Sequence, residues 1–288
     1  MTKMASIHPF VPPSKPRPSG PGKPHQSNPH QNGHVTTGQF QTAPAPNVLL
    51  IASGKGGVGK TWFTISLAHQ LAANNKKVLV FDGDLGLANI DIQLGINPKF
   101  DLGDVIDGNV SFQGSITHYE DGGFDILAGR SGSGSLAQLS REHLTLIREE
   151  LKSMARSYDH VLIDLGAGIG GIVKSLTPAA KRCILVLNDE PTSLTDGYAF
   201  LKVTKRAHPH LDISVLINSA DSYQQGNITY KGFTAVCEKF LDFTPAFAGC
   251  IRRDSKIKDA IRHQTALMKR HPQSDAANDI KTVAKNIF

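Results

Sequence analysis

Eight residues constrain this chain more than any others: Gly54-Lys55-Gly56-Gly57-Val58-Gly59-Lys60-Thr61, set between an apolar run at 47–53 and a helical stretch at 60–74. A loop half made of glycine packs no core and holds no helix, but its backbone can turn left-handed and approach a ligand closely. The spacing fits G-x-x-x-x-G-K-[ST], with the preceding strand and following helix that this motif needs. In that setting the loop N–H groups close around phosphate oxygens, and the helix N-terminus adds a favourable dipole. Lys60 is expected to reach the outer phosphates and the Thr61 hydroxyl to ligate magnesium. The bland alternative is a glycine-rich turn with a chance Lys-Thr; the flanking strand and helix argue against it.

Downstream, short apolar runs at 48–52, 78–81, 124–127, 161–163, 183–187, 213–217 and 246–251 alternate with helical stretches at 60–74, 140–156, 193–207, 228–241 and 254–263. The runs are apolar at successive positions, as strands covered on both faces are. Alternation at this spacing implies an α/β fold: a doubly wound, mostly parallel sheet with flanking helices. The ordered domain is expected over 47–288. Residues 1–46 hold 10 of the 16 prolines, with His8, His25, His30 and His34 and no apolar period, so a disordered tail is expected there. That tail carries Lys3, Lys15, Arg17 and Lys23 without an acidic residue, which is +4 of the formal net charge of +6. The remainder is close to neutral, a weak signal for nucleic acid. Cys183, Cys237 and Cys250 lie far apart without metal spacing and read as reduced thiols of a cytoplasmic protein. No apolar run approaches the ~20 residues of a membrane span, and no secretory signal follows the N-terminus.

Two aspartate segments complete the expected site. Asp82-Gly83-Asp84-Leu-Gly-Leu-Ala-Asn-Ile-Asp91 follows the second strand, and its paired carboxylates are placed to manage magnesium and an attacking water. Strand-end aspartates capping a turn are the plain reading of the same residues. The segment 158–170 is a buried apolar strand ending in Asp164, followed by Leu-Gly-Ala-Gly-Ile-Gly170, where glycine permits movement. A further strand ends at Asn218, whose amide can donate to and accept from a base edge or can simply hold a turn.

The string Lys55-Gly-Gly-Val-Gly-Lys-Thr61 resembles the "deviant" Walker A signature of the MinD/ParA family, P-loop NTPases of the SIMIBI type. The resemblance spans about 47–288 and implies an ATPase that uses ATP and magnesium. It makes Gly54 to Thr61, Trp62 and Asn218 nucleotide-binding positions, with Asn218 at adenine. Lys55, Lys60 and Asp84 become the catalytic residues. Thr61, Asp82, Asp84 and Asp164 surround the metal, with Asp84 polarising water and Asp164 holding a magnesium-ligated water. In the family the first lysine crosses a nucleotide-sandwich homodimer to the opposite phosphates. Relatives carry Ser or Thr after the motif threonine, so Trp62 removes a hydroxyl expected near the α-phosphate, or else packs at the base of the loop.

Asp84 to Asp91, Ile126 to Gly134 and Asp189 to Tyr198 look similar to the flagellar-number regulators, the FlhG-type branch. That branch implies a switch that positions or counts flagella, reads out hydrolysis through a protein partner and touches the inner face of the cell membrane. An activating D-Q-A-x-x-L-R-like segment of that branch has no counterpart in 1–47. Ile280, Val283, Ala284 and Ile287 form a stripe that suits either a membrane surface or the domain core. Arg252, Arg253, Lys256, Lys258 and Arg262, with Lys202, Lys205 and Arg206, leave open a ParA-like DNA-partitioning role or a solvated face. The iron–sulfur branch lacks its paired cysteines here, and the tyrosine-kinase branch its terminal tyrosines. Trp62 also motivates a nucleotide-gated interaction protein with little hydrolysis.

Overall fold

Every position from Val48 to Ala52 is buried, because this strand lies between two helical layers. It is β1 (Ala45–Ala52), beginning two residues before the expected boundary. Val48, Leu50 and Ala52 turn to one layer, while Leu49 and Ile51 turn to the other. The structure, a computed structural model, describes residues 43–129 and 139–288. The expected tail thus lies outside the described residues up to position 42, as does the part of the Ile126 to Gly134 stretch from 130 onwards.

Eight strands form one sheet in the order β3-β4-β2-β5-β1-β6-β7-β8. These are β2 (Val78–Gly83), β3 (Ile116–Tyr119), β4 (Phe124–Leu127), β5 (His160–Leu165), β6 (Ala180–Leu187), β7 (Asp212–Ala220) and β8 (Ala246–Arg252). All neighbours run parallel except β3 on β4. The expected doubly wound sheet is therefore present, with one antiparallel edge strand added.

Helices α4 (Arg141–Met154), α5 (Gly171–Leu176), α6 (Pro191–Ala207) and α7 (Tyr223–Leu241) cover the face to which Leu50 points. The other face carries α1 (Lys60–Ala73), α2 (Ile90–Leu94), α8 (Ser255–Arg262), α9 (Leu267–Arg270) and α10 (Asp275–Ile287). A short α3 (Leu102–Ile106) opens with a capping box in which Asp101 and Asp104 satisfy each other's backbone N–H. Helix α1 is buried around most of its circumference, since it is pressed between sheet and α10.

The stripe of α10 resolves the two readings of the C-terminal helix. Ile280, Val283 and Ala284 are buried against the domain, so this face is not free for a membrane. Asp279 on the same helix is fully buried and accepts three hydrogen bonds from Arg252: backbone N at 2.9 Å, Nε at 3.0 Å and Nη2 at 2.9 Å. The Tyr223 hydroxyl donates to it as well. One carboxylate thereby ties the end of β8 to α7 and α10. All three cysteines are buried and free. Among the described residues, no helix is long and apolar enough to cross a membrane.

Removing the charge of Asp279 takes away the buried partner of Arg252 and leaves it the exposed Asp275, at 3.0 Å. Asp279→Asn is expected to lower unfolding stability by about 3 kcal/mol, read from urea midpoints at unchanged slope.

Candidate functional site

The strand register places the site. Ile51 of β1 stands opposite Asp164 of β5, and Asp164 stands opposite Asp82 of β2. The loops after β1, β2 and β5 consequently leave the sheet together at its carboxyl edge, where ligands of open α/β sheets bind.

Two glycines shape the first loop. Gly57 and Gly59 have φ of 78° and 95°, the left-handed region that side chains resist. Gly59 has a second requirement: a β-carbon there would lie 2.4 Å from both Asn218 Nδ2 and Trp62 Nε1. Lys60 begins α1 and is buried. Thr61 Oγ1 donates to Asp164 Oδ2 at 2.6 Å, and Thr64 Oγ1 reaches Asp164 Oδ1 at 3.4 Å. Burial pushes the Asp164 carboxyl up to about 6, while the Thr61 hydrogen bond and the nearby Lys60 charge oppose that rise.

Asp82 and Asp84 do different work. Asp82 is buried and accepts from the backbone N–H of Asp84 at 3.2 Å, Asn89 at 2.9 Å and Ile90 at 3.1 Å. It pins both ends of the loop carrying Asp84 and is not among the residues lining the cleft. Asp82 thus stands behind the cleft wall and holds the loop that carries Asp84, as Asp164 stands behind Thr61. Burial and the neighbouring Asp164 charge push its carboxyl up to about 8. Asp84 lines the cleft and lies over Gly166, where a β-carbon would meet Asp84 Oδ1 at 3.1 Å. Gly166 therefore lets the second and third segments touch.

Lys55 turns away. It does not line the cleft of its own chain; its ammonium pairs with Glu190 and donates to Thr192 Oγ1 at 3.0 Å, at the start of α6. That hydrogen bond holds the Glu190 carboxyl below its usual value. Gly54 makes this reach available, since a β-carbon there would fall 2.1 Å from the Asp196 backbone of α6.

The cleft of about 1130 Å³ is bounded by 56–62, 83–87, Gly166, Ala167 and Gly170 to Val173. It exceeds the ~300–1,000 Å³ usual for small-molecule sites, and one side is open. Asn218, Ser219, Arg253, Asp254, Ile257 and Lys258 line it as well. Asn218 donates through Nδ2 to Val58 O at 2.7 Å, which leaves Oδ1 a buried acceptor without a partner. Such an orphan calls for a ligand donor. These features fit a magnesium nucleotide: a glycine cradle, a buried Lys60, a hydroxyl–carboxylate pair in Thr61 and Asp164, and an unfilled acceptor on Asn218.

The model of the CobQ/CobB/MinD/ParA nucleotide binding domain matches residues 49–267, spanning this whole site. The chain belongs to that family. It is a P-loop ATPase. Antiactivator FleN of Pseudomonas aeruginosa is 37% identical over 241 residues, covering 83% of this chain and 85% of that one. The flagellum site-determining protein YlxH of Helicobacter pylori is 29% identical, covering 82% and 80%. Among solved structures, the septum site-determining protein MinD of Pyrococcus horikoshii complexed with Mg-ADP superposes with a TM-score of 0.72 at 28% identity, over 84% of this chain and 96% of that one.

The fold brings the loop, Asp84, Asp164 and Asn218 together, and adds Glu190 and Thr192, to which no motif assigns a role. Their signal was an acid and a hydroxyl flanking Pro191 at a helix start, with nothing local to link them to Lys55. The basic stretch near α8 does not form one free strip. Arg252 is bound to Asp279, Arg253 pairs with Asp221, and Arg253 and Lys258 face the cleft.

The raised Asp82 carboxyl has a consequence for stability. Between 3.8 and about 8 the folded protein holds a proton that the unfolded chain releases, so this contribution is present at low pH and lost as pH rises through that window. Urea midpoints of the nucleotide-free protein are expected to fall with rising pH there, and Asp82→Asn to flatten the trend.

Proposed function

We propose that this chain is an ATP-dependent, dimerising switch that hydrolyses ATP to ADP and phosphate and thereby sets the position or number of flagella. The orientation of Lys55 carries the reading. A lysine of the phosphate loop that turns from its own cleft to Glu190 and Thr192 supports a role in a second copy, while Lys60 serves the site it belongs to.

Magnesium-bound ATP, when present, supplies an electrophilic γ-phosphorus and a cation that offsets its charge. Gly56 to Gly59 enclose the phosphates through backbone N–H groups, and Lys60 meets their outer oxygens. Thr61 would ligate the metal through a hydroxyl lone pair while its O–H still donates to Asp164, and Asp164 would hold a metal-ligated water. Asp84 orients the attacking water, its loop fixed from beneath by Asp82. Lys55 crosses to the opposite copy and stabilises charge developing on its phosphoryl group. Asn218 accepts from the base. Leu87, 75% exposed at the cleft, and Ile169, 38% exposed in the loop after β5, supply apolar surface for the second copy to cover.

Product release lets the loops at 84–91 and 164–170 relax, and the dimer then opens and drops a protein partner. The name of the YlxH relative, a flagellum site-determining protein, supports the flagellar role, and the Mg-ADP of the MinD neighbour supports the cofactor. Hydrolysis acts here as a timer rather than a metabolic step.

Phosphate release tests the chemistry. The wild type is expected to turn over slowly, and Asp84→Ala to lose at least about tenfold in rate while still binding ATP. Equal rates in the two proteins would remove hydrolysis and leave a nucleotide-gated interaction protein.

A further inference from the structure

Trp62 is the chain's one tryptophan and stands where a small hydroxyl residue is expected. The structure gives it a definite place. It is the third residue of α1, it lines the nucleotide cleft, and its other side closes a small void beneath α2 and α8 formed with Gln93, Ile257 and Ala260. The ring is buried except at the cleft. Among the described residues its indole N–H makes no hydrogen bond, although buried indoles usually find a partner.

Its neighbour sharpens the question. Trp62 Nε1 and Asn218 Nδ2 each lie 2.4 Å from the point a β-carbon on Gly59 would occupy, so the two side chains are neighbours in the wall of the cleft. Asn218 must turn Nδ2 toward the Val58 carbonyl, since a carbonyl can only accept, and it is therefore left with an unpaired acceptor, Oδ1. The wall thus offers one free donor beside one free acceptor. Adenine presents the complement on adjoining atoms, an N7 acceptor beside an N6 amino donor, whereas guanine presents two acceptors, N7 and O6.

We infer that Trp62 is a base-specificity residue, its indole N–H donating to purine N7 while Asn218 Oδ1 accepts from the adenine amino group. This rests on the nucleotide reading above and adds to it a second contact for the base. Guanine would set its O6 against Asn218 Oδ1, two acceptors with no proton between them, and be rejected. The hydroxyl missing at this position is thus replaced by a donor aimed at the base rather than at the α-phosphate.

The test compares ligands that differ by one atom, using Mg-ADP so that neither hydrolysis nor an ATP-driven dimer intervenes. Calorimetric titration of the full chain with ADP and with 7-deaza-ADP, which has C–H in place of N7, is expected to show ADP binding about five- to tenfold tighter. Trp62→Phe keeps the ring and removes the donor, and is expected to bind both ligands equally, at the wild-type affinity for the deaza analogue. Equal binding of the two ligands by the wild type overturns the inference without any variant, and so does a preference that survives in Trp62→Phe. Failure of the wild type to bind either ligand or ATP overturns the nucleotide reading itself.

Discussion

Asp164 ends β5 with its side chain removed from water, and an ionised carboxylate in that position costs several kcal/mol unless donors meet it. Thr61, Thr64 and the charge of Lys60 are those donors, and all three belong to the first turns of α1. The demand of one buried acid therefore fixes where the phosphate-loop helix sits against the sheet. It also orients the Thr61 hydroxyl, whose O–H is spent on Asp164 and whose lone pairs are left for a cation. A second buried acid, Asp82, does the same for the adjoining loop through three backbone N–H groups. With both loops anchored at their bases, Asp84 can meet Gly166 at close range.

The moving parts sit on this fixed floor. Glycine at 166, 168 and 170 lets the loop after β5 change shape, while β1, β2 and β5 are locked in register beneath it. Lys55 is the other movable element. Its half-exposed pairing with Glu190 is screened by water and can be given up at small cost, whereas the buried Lys60 has no such freedom. Two lysines five residues apart in one loop thus have opposite mechanical characters, one fixed in its own cleft and one able to leave.

Much of this was legible in the sequence where the physics is local. The parallel strands announce themselves because burial on both faces makes every residue apolar, and the phosphate loop because glycine, lysine and threonine recur at fixed spacing. Strand β3, Ile-Thr-His-Tyr, was not legible: it is a short, half-exposed edge without an apolar run. The hold of Asp82 on the N–H groups at 84, 89 and 90 was not legible, since only the folded loop brings them to it. The partners of Lys55 lie 135 and 137 positions away, beyond any motif. The stripe of α10 reads alike for a membrane and for a core, and the packing of α1 and β8 against it decides the matter. Trp62 looked like a loss in the sequence, and only the nearby Asn218 gives its indole a use.

The switch depends most directly on whether Lys55 acts in a second copy. Light scattering of the full chain with Mg-ATP and with Mg-ADP, for the wild type, Asp84→Ala and Lys55→Ala, measures this. A mass that doubles with ATP but not ADP, persists in Asp84→Ala and fails to double in Lys55→Ala is the predicted result. A monomer under every condition, or a dimer that forms equally well in Lys55→Ala, would contradict it.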